Sequence, residues 1–190
     1  TYFEVLFPAE VTIFESDVFS VASVVRKTIS VIAPDRIGIV DFGLSAENAS
    51  SLLGYPSAEL AKGAGRLSKS FEFNNIKSTV FAELSDNPVI EITEKQMSRD
   101  MWGKAYYEDV VTGYIFNEES TVKGISYTLS LSGELKGREE AVMSALKSMA
   151  KASGYKTASE SANENSFISD TGTSLRISNK SGVIEIKGSR

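Results

Sequence analysis

Hydrophobic and polar residues alternate most regularly in residues 124–135, GISYTLSLSGEL. The apolar side chains fall at Ile125, Tyr127, Leu129 and Leu131, mostly with serine or threonine between them. A period of two places the apolar side chains on one face of a strand and the hydroxyls on the other. This segment therefore predicts a strand with one buried face.

Two segments show helical spacing or helical end signals. The stripe of the first, in residues 138–153, consists of Val142, Ala145, Leu146 and Met149. Such a stripe is the face that a helix packs against a core, and Gly154 follows it as a left-handed stop. The second segment begins after Ser45, a good N-cap residue, and ends at Gly54. The sequence predicts a helix in each.

Asparagine and glycine mark two predicted hairpin turns. Residues 71–84 are expected to turn near Asn74-Asn75, and the last two strands near residues 179–182, because these residues accept the left-handed backbone of tight turns. The apolar run at residues 35–44, DRIGIVDFGL, predicts a central strand. Polar composition predicts loops at 64–70 and 156–166.

The segment after the predicted strand VIEI, residues 89–92, resembles a helix start. Thr93 and Gln96 have the spacing of a capping box, in which each side chain satisfies an exposed amide of the first turn. Met97, Met101 and Ala105 would then share one side of the helix. The sequence predicts a return to strand at residues 114–116, YIF.

The amino-terminal segment contains further predicted elements. Residues 2–14 are rich in aromatic and β-branched residues and predict two short strands, or one bent edge strand broken at Pro8. Ser16 or Asp17 is expected to cap a helix. Its predicted apolar face is Val18, Val21, Ala22, Val25 and Ile29.

Together these elements predict an α+β fold with a mostly antiparallel sheet and about three or four helices packed on one face. Residues 1–190 fit one domain. A weak internal similarity, in which GYPSAE and GYKTAS each precede a VIEI segment, allows two related β-α-β-β units at 31–92 and 126–187. Chance resemblance is the alternative.

Composition narrows the possible chemistry. The chain has no cysteine and no histidine, which excludes thiolate nucleophiles, Cys-ligated metals and imidazole-based catalysis. We therefore lean against an enzyme and expect no cofactor and no metal site. The net charge of −5 disfavours binding to nucleic acid. No apolar run reaches the ~20 residues of a membrane span, and we expect a soluble protein, with a slight preference for the cytoplasm.

Asp41-Phe42-Gly43 resembles the metal-binding segment of protein kinases. A kinase needs its glycine-rich loop and His-Arg-Asp loop upstream, and residues 1–40 contain neither, so the match is accidental. Asp41 keeps some interest because it ends an apolar strand just before a predicted helix, a position that can face a ligand. A turn or cap role is the simpler interpretation.

Residues 63–70, GAGRLSKS, are the nearest approach to a phosphate-binding loop. Gly63 and Gly65 would let backbone amides approach a phosphate, while Arg66 and Lys69 would balance its charge. The spacing of a Walker loop is not met. A mobile basic loop is the alternative interpretation.

An aromatic cluster in residues 101–116 includes Trp102, Tyr106 and Tyr107. Aromatic side chains of this kind can form the interface with a partner, or they can anchor the core, which is the commoner role. We include these three residues as candidates for a partner interface.

Two function classes remain, and a third is weaker. The first is a non-catalytic interaction or assembly protein that binds a protein partner or itself: a subunit of a larger complex, a virion or secretion-apparatus component, or a docking inhibitor. The second is a domain or enzyme that binds a phosphorylated small molecule with Asp41 and the Gly63–Ser70 loop. The third binds nucleic acid through the basic residues of the last hairpin, Arg176, Lys180, Lys187 and Arg190.

Overall fold

A computed structural model describes residues 21–63, 65–85 and 87–190. The chain divides into two compact units. Among the described residues, unit 1 comprises residues 21–39, 70–79 and 126–190, and unit 2 comprises those between these ranges. Strand residues make up 49% of the structure, with four helices and antiparallel sheets. The protein is therefore mostly β, and the predicted α+β class is matched only loosely.

Seven strands form one sheet, in the order β4-β5-β8-β12-β11-β10-β9, and β9 to β12 lie entirely in unit 1. The strands of this sheet are β4 (Arg66–Phe73), β5 (Ile76–Leu84), β8 (Val122–Leu131), β9 (Lys156–Glu160), β10 (Glu164–Ile168), β11 (Ser174–Lys180) and β12 (Val183–Ser189). The last four strands pair antiparallel in chain order. Strands β4, β5 and β8 continue from unit 1 into unit 2.

The core of unit 1 lies between this sheet and its helices. Residues 21–28 are helical, α1, and bury Val21 and Val25. Helix α4 (Glu139–Ala152) buries Val142, Met143, Leu146 and Ala150 and contacts β11. The short strands β1 (Ile32–Ala33) and β2 (Arg36–Ile37) pair antiparallel.

Unit 2 contains β3 (Val40–Asp41), α2 (Ala46–Leu53), α3 (Ser57–Lys62), β6 (Val89–Arg99) and β7 (Ala105–Phe116). Helix α2 begins as the sequence predicts, because the Ser45 side chain accepts a hydrogen bond from the Asn48 amide. It ends at Gly54, whose φ of 81° is left-handed. Strands β6 and β7 form a two-stranded sheet, the ribbon.

Several predicted elements are confirmed. Asn74 and Asn75 have positive φ angles and connect β4 to β5, as the hairpin prediction requires. Ser181 and Gly182 do the same between β11 and β12. Ile125, Tyr127 and Leu129 are buried along β8. The α4 stripe is confirmed at Val142 and Leu146.

Four local predictions are wrong. Residues 35–44 form two-residue strands, because positive φ angles at Gly38 and Gly43 turn the backbone. Within the predicted loop at 64–70, residues 66–70 belong to strand β4. The predicted helix after Thr93 is the continuation of β6. The predicted loop at 156–166 contains β9 and the start of β10.

The described residues neither confirm nor contradict three of the predictions. The predicted strands at residues 2–14, and the helix cap and Val18 beside them, lie outside the described residues. The single domain and the internal repeat stay predictions. The two VIEI segments lie at the start of β6 and of β12.

Candidate functional site

The ribbon is exposed along most of its length. Its two strands pair antiparallel from Val89 opposite Phe116 to Arg99 opposite Ala105, with a bulge near Thr93. None of its side chains is fully buried, and only α3 among the helices makes extensive contact with it, on both β6 and β7. A two-stranded hairpin alone is marginally stable in water, and α3 is the helix that supports this one.

The turn at the end of the ribbon is held by the side chains of Asp100 and Arg99 and by one backbone hydrogen bond. Asp100 Oδ1 accepts hydrogen bonds from the backbone amides of Trp102, at 3.0 Å, and Lys104, at 2.8 Å. The Gly103 amide donates to the Asp100 carbonyl at 2.9 Å, and Arg99 Nη1 donates to the Gly103 carbonyl at 2.9 Å. The turn is therefore pre-organised by its own polar groups.

Five large side chains around this turn form what we term the tip patch: Met97, Met101, Trp102, Tyr106 and Tyr107. Met101 is 85% exposed and Trp102 83% exposed. Tyr107, opposite Met97 in the register, is 71% exposed. The core interpretation of these aromatic residues is therefore wrong. Trp102, Tyr106 and Tyr107 are all exposed near the end of the ribbon, with Tyr106 and Tyr107 on opposite faces of β7.

Two basic side chains lie near the turn of the ribbon, and two acidic side chains lie further along it. Arg99 and Lys104 flank the tip patch, and the carboxylate of Asp100 is occupied by the amides of the turn. Glu108 and Asp109 lie further from the tip, opposite Gln96 and Lys95. The tip thus presents apolar groups with two neighbouring cations.

The sequence pattern predicts Met97 and Met101 on one side of a helix. It does not predict their exposed positions at the end of the ribbon. The signal for the ribbon was present in Asp100-Met101-Trp102-Gly103, where Asp and Gly suit a tight turn between two strands rich in β-branched and aromatic residues. The capping-box spacing at Thr93 favoured the wrong element.

The residues of the predicted phosphate loop are separated. Gly63, the C-cap of α3, and Gly65, with a φ of +66°, line a cavity of about 530 Å³ together with Arg66. Lys69 does not line it, because its Nζ donates to the Leu52 carbonyl at 3.3 Å. Asp41 is not among the lining residues either.

The charges around this cavity are mixed. Arg66 and Lys123 supply cations and Glu83 an anion. The Arg66 guanidinium lies 4.0 Å from the centre of the Phe81 ring, a cation–π arrangement that holds it over β5. The cavity can accept a small polar molecule, but the loop of amides that defines a phosphate-binding motif is replaced here by a strand.

The basic residues of the last hairpin are partly neutralised. Arg176 lies 4.0 Å from Glu164, and Lys180 lies 3.4 Å from Glu185. Carboxylates this close weaken the attraction of the hairpin for a phosphate backbone. The arrangement gives no continuous basic surface across these strands.

The tyrosines with shifted pKa values have structural roles. Burial raises the pKa of Tyr127, whose hydroxyl accepts a hydrogen bond from the Ile39 amide at 3.1 Å. Burial and the nearby Asp35 raise the pKa of Tyr155 to about 12. Its hydroxyl donates to the Ala33 carbonyl at 3.3 Å. Both phenols therefore hold backbone in place in unit 1.

The described residues contain neither a candidate metal site nor a candidate membrane-spanning helix. In the part of the chain that the structure describes, no group of three acidic, cysteine or histidine side chains is placed to hold a metal ion. No helix in the same residues has the length and apolar character needed to cross a bilayer.

Comparisons with protein-family models, with curated proteins and with solved structures give no significant match to this chain.

Proposed function

We propose that the protein is a non-catalytic interaction or assembly protein that binds a partner protein through the tip patch of the ribbon. The observation that carries this proposal is the exposure of Met101 and Trp102, the two most exposed large apolar side chains among the described residues. Large exposed apolar side chains concentrated at one end of an element are typical of an interaction site. Subunits of larger complexes and docking inhibitors both work in this way.

The composition of the tip suits a protein partner. Trp, Tyr, Met and Arg are the residues enriched in protein interfaces, and hot spots are usually built on Trp, Tyr and Arg. The Asp100 turn fixes the backbone beneath Trp102, so less conformational freedom is lost on binding. Arg99 and Lys104 favour a partner with an apolar pocket and acidic residues at its rim.

Trp102 provides a direct assay, because it is the single tryptophan of the chain. Proteins would be captured from the source with the wild-type chain and, in parallel, with Trp102→Ala. A protein retained by the wild type alone would then be purified and titrated against it. We expect the emission of Trp102 to shift to shorter wavelength as the indole leaves water.

The matched control is Phe73→Ala, which removes an exposed aromatic side chain outside the ribbon. This variant should bind the partner like the wild type. Equal capture of every protein by the wild type and Trp102→Ala, with no change in emission on titration, would refute docking through the tip.

A second candidate function is supported by the cavity beside Gly63, Gly65 and Arg66, whose volume of about 530 Å³ suits a small ligand. Under this proposal an anionic metabolite binds with its charge toward Arg66. A thermal-shift panel of phosphorylated metabolites tests it, with Arg66→Gln expected to abolish any shift. Lys69→Gln, outside the cavity, should leave the shift unchanged.

A further inference from the structure

Among the described residues, no strand covers the outer edge of β6. The only strand paired with β6 in that part of the chain is β7. The side chains from Ile90 to Met97 are all exposed. A long exposed edge of this kind is a template for pairing with another chain unless the sequence prevents it.

The backbone direction along β6 follows from the two ends of the ribbon. The Asp100 amide donates to the Lys104 carbonyl, and the Pro88 carbonyl accepts from the Asn117 amide. Even-numbered residues of β6 therefore direct their backbone groups toward β7. Because these directions alternate along a strand, Glu91, Thr93 and Lys95 direct theirs away from β7, toward the outer edge.

The side chains of these outward-directed residues are self-complementary about Thr93. In an antiparallel pair of two copies centred on this residue, each Glu91 lies opposite Lys95 of the other copy, and each Val89 lies opposite Met97. Thr93 lies opposite itself. Opposite charges, apolar pairs and Thr–Thr pairs are all stabilising when they face each other across antiparallel strands.

The same register is acceptable on the other face of the strand. There Ile92 lies beside Glu94 and Ile90 beside Gln96, so no two like charges are opposed. Trp102 lies outside the paired segment, which ends at Met97.

We propose that two copies of the chain associate through antiparallel pairing of their β6 edges about Thr93, which joins two ribbons into a four-stranded sheet. The inference rests on the proposed role of the ribbon in assembly and specifies a second copy as the occupant of its edge. It uses the edge of β6 and shares only Met97 with the tip patch, while Trp102 lies outside the paired segment, so either proposal can fail without the other.

Charge reversal tests the register. Glu91→Lys opposes two lysines at each of two symmetry-related positions, and Lys95→Glu opposes two glutamates there. Each single variant should raise the dimer dissociation constant by about tenfold or more. The double variant restores two attractive pairs and should dimerise like the wild type. Sedimentation or light scattering over a wide concentration range measures these constants.

Mixing the two single variants gives the most discriminating result. The Glu91→Lys variant has lysine at both positions 91 and 95, and the Lys95→Glu variant has glutamate at both. The mixture should therefore form a heterodimer that is tighter than the homodimer of either variant. Lys77→Glu, a charge reversal at an exposed position outside the ribbon, is the matched control and should leave the dissociation constant unchanged.

Because the chain has no cysteine, Thr93→Cys gives a second, covalent readout. Directly opposed residues in an antiparallel pair lie at a separation that a disulfide can span, so mild oxidation should yield a covalent dimer. Lys104→Cys is the control and should cross-link far less.

A strictly monomeric wild type together with no cross-link at position 93 would overturn the inference. A dimer insensitive to both charge reversals would overturn the register. Pairing about Thr93 leaves Trp102 outside the paired segment. A dimer whose Trp102 emission is not shifted would therefore support pairing at the β6 edge independently of docking at the tip.

Discussion

The hydroxyl of Tyr127 occupies the space that a side chain at Gly38 would need. A β-carbon built at Gly38 would lie 2.1 Å from the Tyr127 oxygen and 2.5 Å from the ring carbon that bears it. Gly38 also has a φ of +59°, which favours glycine. The same hydroxyl accepts the amide hydrogen of the next residue, Ile39. One buried tyrosine thus fixes the β2 turn.

Gly38→Ala should lower the free energy of unfolding by about 3 kcal/mol, from backbone strain and overpacking together. Urea denaturation measures the loss. Gly43→Ala is the control, because Gly43 also has a positive φ, of +80°, but nothing lies within 4 Å of its β-carbon position. We expect a loss of about 1 kcal/mol there. Equal losses would mean that the Tyr127 contact does not matter.

Tyr155 should make stability depend on pH in the alkaline range. Its pKa is raised to about 12 in the folded protein, against about 10 in an unfolded chain. The folded state therefore retains the phenolic proton, and this contribution is complete below pH 10 and is lost as the pH rises toward about 12. Tyr155→Phe should flatten the fall in unfolding free energy across this range.

Unfolding measured between neutral pH and pH 12 tests the Tyr155 prediction. Tyr107→Phe removes an exposed hydroxyl from the ribbon and serves as the matched control. A wild type and a Tyr155→Phe variant with the same slope would assign the alkaline loss to other groups.

Trp102→Ala should leave the free energy of unfolding within about 0.5 kcal/mol of the wild type, as expected for an exposed residue. Truncation of a buried tryptophan costs about 3–5 kcal/mol instead. Chemical denaturation followed by circular dichroism separates these values without the tryptophan signal. A loss in the larger range would place Trp102 in a core and remove the basis for docking at the tip.

Asp100→Ala should loosen the turn of the ribbon. The variant leaves the amides of Trp102 and Lys104 without their shared acceptor, so their hydrogen exchange should accelerate by about tenfold or more. Asp109→Ala, which removes an exposed carboxylate from the same ribbon, should leave these two amides unchanged. Unaltered exchange in Asp100→Ala would show that the turn holds without this side chain.

Sequence reasoning succeeded where structure depends on nearby residues. The Asn74-Asn75 turn and the Ser45 cap were predicted because each follows from backbone geometry or from a hydrogen bond within a few residues. The α4 stripe and the alternation along β8 were predicted because burial imposes a period on the residues that face the core.

Prediction failed where a local pattern competed with distant pairing. Thr93 and Gln96 satisfy a helix-start spacing, but pairing with residues 105–116 makes this segment a strand. Lys156–Glu160 is a strand with every residue exposed, so burial leaves no period to detect. The aromatic residues at 101–116 identify the candidate interface in the sequence. Their exposure depends on how the ribbon folds, and amino-acid composition does not determine that.

The ribbon begins and ends at one point of unit 2. The Asn117 amide donates to the Pro88 carbonyl at 3.0 Å, and the Asn117 side chain donates to the Asn87 carbonyl at 2.9 Å. Residues 89–116 are therefore an insertion-like hairpin, and the residues on either side of it are hydrogen-bonded to each other. A short turn could replace the hairpin without stretching the backbone on either side. The ribbon could therefore be lengthened, shortened or given another tip without any change in the backbone at residues 87, 88 and 117.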